Sequence, residues 1–304
     1  MTAKAKYYDC AIIGGGPGGL VSALYLRRFR RRCILFNSGR PRVSWGPSIR
    51  NLIGYYEGIP GRILLNRLNR QLDEVGGLDR CESQARVTRL NPGFQIETSS
   101  GQSVRAKTVV LATGIEDVHP EIENLVQLRE AGLLKYCSIC DGFEMRERAI
   151  AVLAKDDYGI QKAMFLENWT RNIKIIIPTD MKLAPQRIRE IRKTRAILLR
   201  CASIKMEIAG NNEGLWIQVN QKRPFLCSVA YVELGCRVNN EAFASLKKLR
   251  KTREGYLVTT TEQRTSIPGL FAVGDCVNLL GQISVASGQA AVAATTIHND
   301  LLEI

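Results

Sequence analysis

The chain has 304 residues, 45% hydrophobic and 24% charged, which is the composition of a soluble globular protein with room for two domains. No stretch approaches the ~20 apolar residues of a membrane helix, and the opening Met1-Thr2-Ala3-Lys4-Ala5-Lys6 runs straight into a strand pattern with no room for a signal peptide. A cytoplasmic location is therefore expected. The 43 basic against 29 acidic residues leave a net charge of +14, which suits an acidic redox partner or an anionic membrane surface; nucleic acid ranks last, because no nucleic-acid-binding motif accompanies the charge.

Tyr8 to Ile13 reads as a short buried strand, followed by Gly14-Gly15-Gly16-Pro17-Gly18-Gly19, a helical pattern from Leu20 to Phe29 and a second strand, Cys33 to Phe36. Gly14-x-Gly16-x-x-Gly19 thus sits between a strand and a helix, the setting of a dinucleotide-binding loop. The first glycine serves the tight turn, the second the approach of a diphosphate, and the third close helix–strand packing. The run Arg27-Arg28-Phe29-Arg30-Arg31-Arg32 is either a solvated helix end or part of an acidic-partner surface. Asn37 stands where an acidic residue usually meets the ribose; it is a ribose contact or a turn residue beside Ser38-Gly39. Thr108 to Ala112 is a continuous apolar strand that ends in Ala112-Thr113-Gly114.

Nine cysteines, an odd count with one close pair, suggest mostly buried thiols and one functional pair. The pair lies in Tyr136-Cys137-Ser138-Ile139-Cys140-Asp141-Gly142-Phe143. A two-residue spacer lets two thiols close a small reducible ring and lowers the pKa of one of them. Two buried cysteines or half a zinc site are the alternatives. Zinc needs four ligands, but there is no second close pair, and the two histidines, His119 and His298, are far apart. No metal is expected, and both histidines read as structural.

A second strand–helix–strand pattern covers Ala149 to Leu153, Gly159 to Asn168 and Ile173 to Ile177, and a third apolar strand, Ala230 to Leu234, ends at Gly235. Gly269 to Asp275 leads to a small-residue helix, Ser284 to His298. The expected fold is therefore α/β, with two Rossmann-like nucleotide-binding domains, the second inserted in the first.

Gly274-Asp275 followed by Gln282-Ile283-Ser284-Val285-Ala286 resembles the second FAD signature of the pyridine-nucleotide disulfide reductase superfamily. Thr113-Gly114 resembles its strand-end motif, and Asn51 its flavin-contacting asparagine. Cys137-Ser138-Ile139-Cys140-Asp141-Gly142 resembles the Cys-x-x-Cys-Asp-Gly motif of low-molecular-weight thioredoxin reductases, a likeness that covers essentially the whole chain. The resemblance implies a discontinuous FAD-binding domain, 1–117 with 240–304, and an inserted domain, 118–239, carrying the pair. It also implies that Asp275 holds the FAD, that Cys140 faces the flavin and that Cys137 exchanges with a thiol or disulfide partner. Asp141 would handle the proton or cap a helix, and the chain would form a homodimer.

In such reductases the inserted domain binds NADPH through its own glycine loop. Here that stretch is Ala154-Lys155-Asp156-Asp157-Tyr158-Gly159, with only the third glycine kept. Asp156 places an anion where a diphosphate would sit, and two like charges about 4 Å apart repel by about 4 kcal/mol at an effective dielectric of about 20. Ile177-Pro178-Thr179-Asp180 lacks the arginine cluster that grips a 2′-phosphate, so NADPH is not expected. Relatives without the NADPH motif include ferredoxin-linked forms, which carry a C-terminal extension, whereas this chain stops at Leu301-Leu302-Glu303-Ile304. The diflavin-linked disulfide oxidoreductases look more similar and would add a second FAD. A ferredoxin-linked thioredoxin reductase and a non-catalytic flavin redox sensor are the alternatives; the intact cysteine pair disfavours the sensor.

Overall fold

The computed structural model of the chain describes residues 6–39, 41–210 and 213–302. The expectations drawn from residues 1–5 and from Glu303 and Ile304 lie outside the described residues.

The glycine-rich opening forms β1 (Tyr7–Ile13), α1 (Pro17–Arg28) and β2 (Cys33–Phe36), followed by α2 (Gly61–Val75). Next come β3 (Asp79–Cys81), β4 (Ala85–Arg89), β5 (Phe94–Thr98), β6 (Ser103–Leu111) and the short β7 (Ile115–Asp117). Then follow α3 (Leu125–Glu130), β8 (Leu134–Lys135) and a single turn, α4 (Ser138–Asp141). β9 (Ile150–Ala154), α5 (Asp157–Phe165) and β10 (Ile173–Pro178) form the second strand–helix–strand unit, and α6 (Pro185–Lys193) follows it. The strands β11 (Ile197–Cys201), β12 (Ile204–Ala209), β13 (Gly214–Val219), β14 (Phe225–Cys227) and β15 (Val229–Glu233) lead to β16 (Cys236–Val238), β17 (Leu270–Ala272) and α7 (Ile283–Asp300). Among the described residues no helix is long and apolar enough to cross a membrane.

The described residues form two compact units. Unit 1 draws on Met1–Ser44, Pro60–Glu116 and Arg237–Ile304, and unit 2 on Trp45–Ile59 and Asp117–Cys236. Residues 45–59, expected with the first domain, group with unit 2 instead. Arg129 stacks on the Trp45 ring at 3.7 Å, and Gly132 closes against Pro47, where an added Cβ would come within 2.8 Å.

In unit 1 the sheet runs β3-β2-β1-β6-β5-β4, with β17 also on β6. β1 pairs parallel with β2 and β6, and β6 with β17. Alternation along β1 feeds two cores: Cys10 and Ile12 pack with Leu20, Ala23 and Leu26 of α1 and with Ala293, Ala294 and Ile297 of α7, while Ala11 and Ile13 pack with Phe94, Phe243 and Leu257. Each fully buried Leu, Ile or Phe contributes about 1.5–3 kcal/mol.

Unit 2 has a sheet of order β11-β10-β9-β15-β8. One face carries Ala151, Leu153 and Val232 against Leu215 and Ile217 of β13. The other carries Val152, Ile175 and Tyr231 against Ile160 and Ala163 of α5 and Ile191 of α6.

Candidate active site

Four strand ends of unit 1 finish level. Ile13 is the register partner of both Phe36 and Leu111, and Leu111 is that of Ala272. Just past these ends stand Asn37, Gly14, Thr113 and Gly274, at the point where the strand order reverses around β1. Open α/β sheets form ligand crevices at such points.

Gly14 has φ +121°, and a Cβ there would lie 2.1 Å from Ala112 O; at Gly19 one would lie 1.8 Å from Gly14 O. Strand and helix therefore meet on bare backbone. At Gly16 the nearest heavy atom to an added Cβ is Pro41 Cβ at 3.8 Å, so the protein leaves that space open. Pro17 begins α1 and no side chain caps it, which leaves the first N–H groups at the positive end of the helix. The Asn37 amide lies against Gly15, where an added Cβ would approach its Oδ1 to 2.5 Å, and its backbone N–H donates to Cys81 O at 3.0 Å.

Gly114 follows Thr113 with φ +67°. Thr113 O accepts from Asn239 Nδ2 at 2.9 Å. The Gly274 N–H donates to Gln289 Oε1 at 2.7 Å, tying the end of β17 to α7. Asp275 is ion-paired with Arg42 Nη1 at 3.6 Å. α7 begins at Ile283 behind Gln282, again without a side-chain cap, and Ala286 closes on both Gly274 and Gly18. The open space at Gly16 and two helix starts without side-chain caps fit a dinucleotide diphosphate. Asn51 is carried by the 45–59 segment of unit 2, not by unit 1. Arg42, Gln289 and Asn239 escape a sequence reading, because each reaches the edge from a distant segment.

In unit 2, Cys137 is extended and opens α4, and it is joined to Cys140 with their Cα atoms 5.3 Å apart. Both are half-buried, and of the two residues between them Ser138 is buried and Ile139 exposed. Asp141 does not cap the turn that follows it. Its carboxylate instead accepts from the Tyr231 hydroxyl at 2.8 Å and pairs with Lys135 Nζ at 3.0 Å. Among the other cysteines, burial pushes the Cys10 thiol up to about 12 and the Cys227 and Cys276 thiols to about 11, leaving them inert. His119 bonds the Tyr136 hydroxyl at 2.8 Å. His298 accepts from Arg31 Nε at 3.1 Å and packs on Phe29. Within the arginine run, Arg27 donates to Gly76 O and Arg31 O, and Arg32 lies over the Tyr8 ring, so much of that charge secures the end of α1.

The second loop closes on itself. Asp156 is the N-cap of α5, and its Oδ1 accepts from Gly159 N at 2.9 Å, so the carboxylate occupies a donor that a bound phosphate would use. Gly159 sits tight against Ala154 and Glu233 O. A cavity of about 470 Å³ beside the loop is lined by Lys155, Asp156, Asp157, Lys182 and Arg187, among others. Arginines do come near the end of β10, brought by α6 and β11 instead of the local sequence. Both are engaged: Arg187 forks onto Asp157 at 2.6 and 2.7 Å, and Arg200 donates to Thr179 O and Met181 O.

The family model for pyridine nucleotide-disulphide oxidoreductases matches residues 8–290. A thioredoxin reductase of Helicobacter pylori is 27% identical over 306 residues, covering 95% of this chain and 97% of that protein. The crystal structure of a thioredoxin reductase from Streptococcus pyogenes superposes with a TM-score of 0.89 at 24% identity, covering 99% of this chain and 100% of its own. An atypical thioredoxin reductase of Desulfovibrio vulgaris is 27% identical, with a TM-score of 0.53, and covers 97% and 98% of the two chains. With the family model spanning most of its length, the chain belongs to the pyridine nucleotide-disulphide oxidoreductase family, as a thioredoxin reductase-like flavoprotein.

Proposed function

We propose that this chain is an FAD-dependent dithiol/disulfide oxidoreductase whose Cys137–Cys140 pair exchanges with an external thiol or disulfide, and that NADPH is not its reductant. FAD is held by unit 1 through Gly14, Gly16, Pro17 and Gly19 at the diphosphate and Asn37 at the ribose. Thr113, Gly114, Gly274, Asp275, Gln282, Ile283 and Ala286 line the rest. When bound, FAD supplies reversible two-electron storage. Cys137 forms the mixed disulfide with the partner, Cys140 resolves it, and Asp141 moves the thiol proton.

The observation that carries the cofactor choice is the Asp156 carboxylate on Gly159 N at 2.9 Å. It supplies in cis the anion that a nucleotide phosphate would otherwise supply, while Asp157 holds Arg187. The diflavin resemblance offers a second FAD in place of the nicotinamide nucleotide. The net charge of +14 favours an acidic redox partner or an anionic membrane surface for a cytoplasmic homodimer.

Mixing the flavin-loaded protein without oxygen with NADPH, and separately with dithiothreitol, tests this. Dithiothreitol is expected to bleach the flavin band through the pair, and NADPH to leave it unchanged. Rapid bleaching by NADPH overturns the cofactor assignment; bleaching by dithiothreitol that survives Cys140→Ser overturns the role of the pair.

A further inference from the structure

Asp141 is gripped from two strands. Tyr231, whose side chain lies in the core of unit 2, donates to Oδ1 at 2.8 Å. Lys135 Nζ stands 3.0 Å from Oδ2, and both of these side chains are only 16% exposed. The two donors are themselves register partners across β15 and β8. Packing does not require them. A phenylalanine would fill the space of a buried tyrosine without asking for a hydrogen-bond partner, and a half-buried ammonium costs desolvation unless it is paired.

We infer that Lys135 and Tyr231 are positioning residues that hold the Asp141 carboxylate as the proton acceptor of the Cys137–Cys140 pair. The inference rests on the thiol–disulfide reading proposed above. Asp141 follows Cys140 directly and closes the single turn that Cys137 opens. Each carboxylate oxygen spends one lone pair on its donor and keeps another for a proton. In the exchange, Cys137 Sγ attacks the partner disulfide and its S–H proton leaves with the first partner sulfur as a thiol; Cys140 then gives its S–H proton to Asp141, and its thiolate attacks Cys137 Sγ in the mixed disulfide. The Sγ–Sγ bond forms, the bond from Cys137 to the partner's sulfur breaks, and the departing thiolate takes the proton from Asp141. The dithiol has then lost two electrons, and the partner disulfide has gained them as two thiols.

Burial, reinforced by the charge of Asp141, lifts the Tyr231 phenol well above the ordinary tyrosine range, so it remains a donor at every working pH. Other charged groups around the network include Glu144 beyond α4 and Glu233 on β15, which is paired with Lys162 of α5 at 3.1 Å.

The test reduces the flavin-loaded full chain with dithiothreitol and follows alkylation of Cys137 and Cys140 by iodoacetamide against pH, read by mass spectrometry. Lys135→Met leaves the carboxylate, one residue from Cys140, uncompensated, so the alkylation midpoint is expected to move up by at least one unit, about a tenfold lower rate at a fixed pH below it. Tyr231→Phe moves it the same way by less, Lys135→Arg restores it, and Asp141→Asn moves it down. Midpoints in Lys135→Met and Tyr231→Phe that match the wild type overturn the inference; if Lys135→Met fails to fold, the nearly isosteric Tyr231→Phe decides alone. A wild-type pair that dithiothreitol cannot reduce overturns the redox reading itself, a result distinct from unchanged midpoints in a pair that exchanges.

Discussion

Gly16 and Gly19 stand three residues apart in one loop, yet they fail differently when substituted. A Cβ at Gly19 would lie 1.8 Å from Gly14 O, whereas at Gly16 it would meet nothing nearer than 3.8 Å. Gly19→Ala is thus expected to destabilise the protein by on the order of 3 kcal/mol through overpacking. Gly16→Ala is expected to keep the thermal unfolding midpoint of the flavin-free chain while losing most of the bound flavin, because its methyl intrudes only on ligand space. Calorimetry and flavin absorbance on the two variants separate the effects; equal flavin content in Gly16→Ala and wild type would mean that no diphosphate approaches there. Asp156 behaves in the opposite sense. Glycine at an N-cap costs only a few tenths of a kcal/mol relative to aspartate, so Asp156→Gly is expected to remain folded while NADPH binds at least tenfold more tightly. Titration calorimetry with NADPH reads the change, and an unchanged affinity removes Asp156 as the cause of exclusion.

At the scale of elements, the first turn of α5 is fastened to α6 through Asp157 and Arg187. The Arg187 guanidinium, hydrogen-bonded to the Asp157 carboxylate, holds it below its ordinary value of 3.8. A depressed folded value contributes stability that is present above the unfolded value and disappears as pH falls through the folded one. Acidification from about pH 5 to below pH 3 is therefore expected to cost the wild type more than Asp157→Asn, which has no proton to gain there. The side chain of Asp157 is 54% exposed, so solvent screening keeps the difference under about 1 kcal/mol. Thermal unfolding of both proteins at pH 7 and pH 3 measures it, and parallel losses would show that the clamp adds nothing. The same clamp keeps Arg187 from acting as a phosphate grip, which links the stability of this turn to the proposed exclusion of a nucleotide.

For the whole molecule, flavin stoichiometry is the sharpest number to obtain. Under the diflavin proposal, denaturation of the purified protein releases close to two FAD per chain, and a ratio near one returns the chain to the single-flavin members of its family. Much of this protein was legible in contiguous residues. The strand–glycine loop–helix of 7–28, the Cys137–Cys140 spacing and the aspartate in the second loop each depend on backbone geometry over a few positions, so local sequence encodes them. Short strands such as β3 and β14 and the helices α2 and α6 went unread. The pairing partners and packing faces that define such elements come from elsewhere in the chain. The contacts that set the chemistry of the site were likewise decided only by the tertiary structure. Arg42 meets Asp275, Gln289 meets Gly274, and Tyr231 meets Asp141 across a separation of 90 residues. Sequence alone determined which reactive groups the protein owns. Folding decided which of them are held, by what, and in which state of charge, because those properties depend on neighbours that no local pattern specifies.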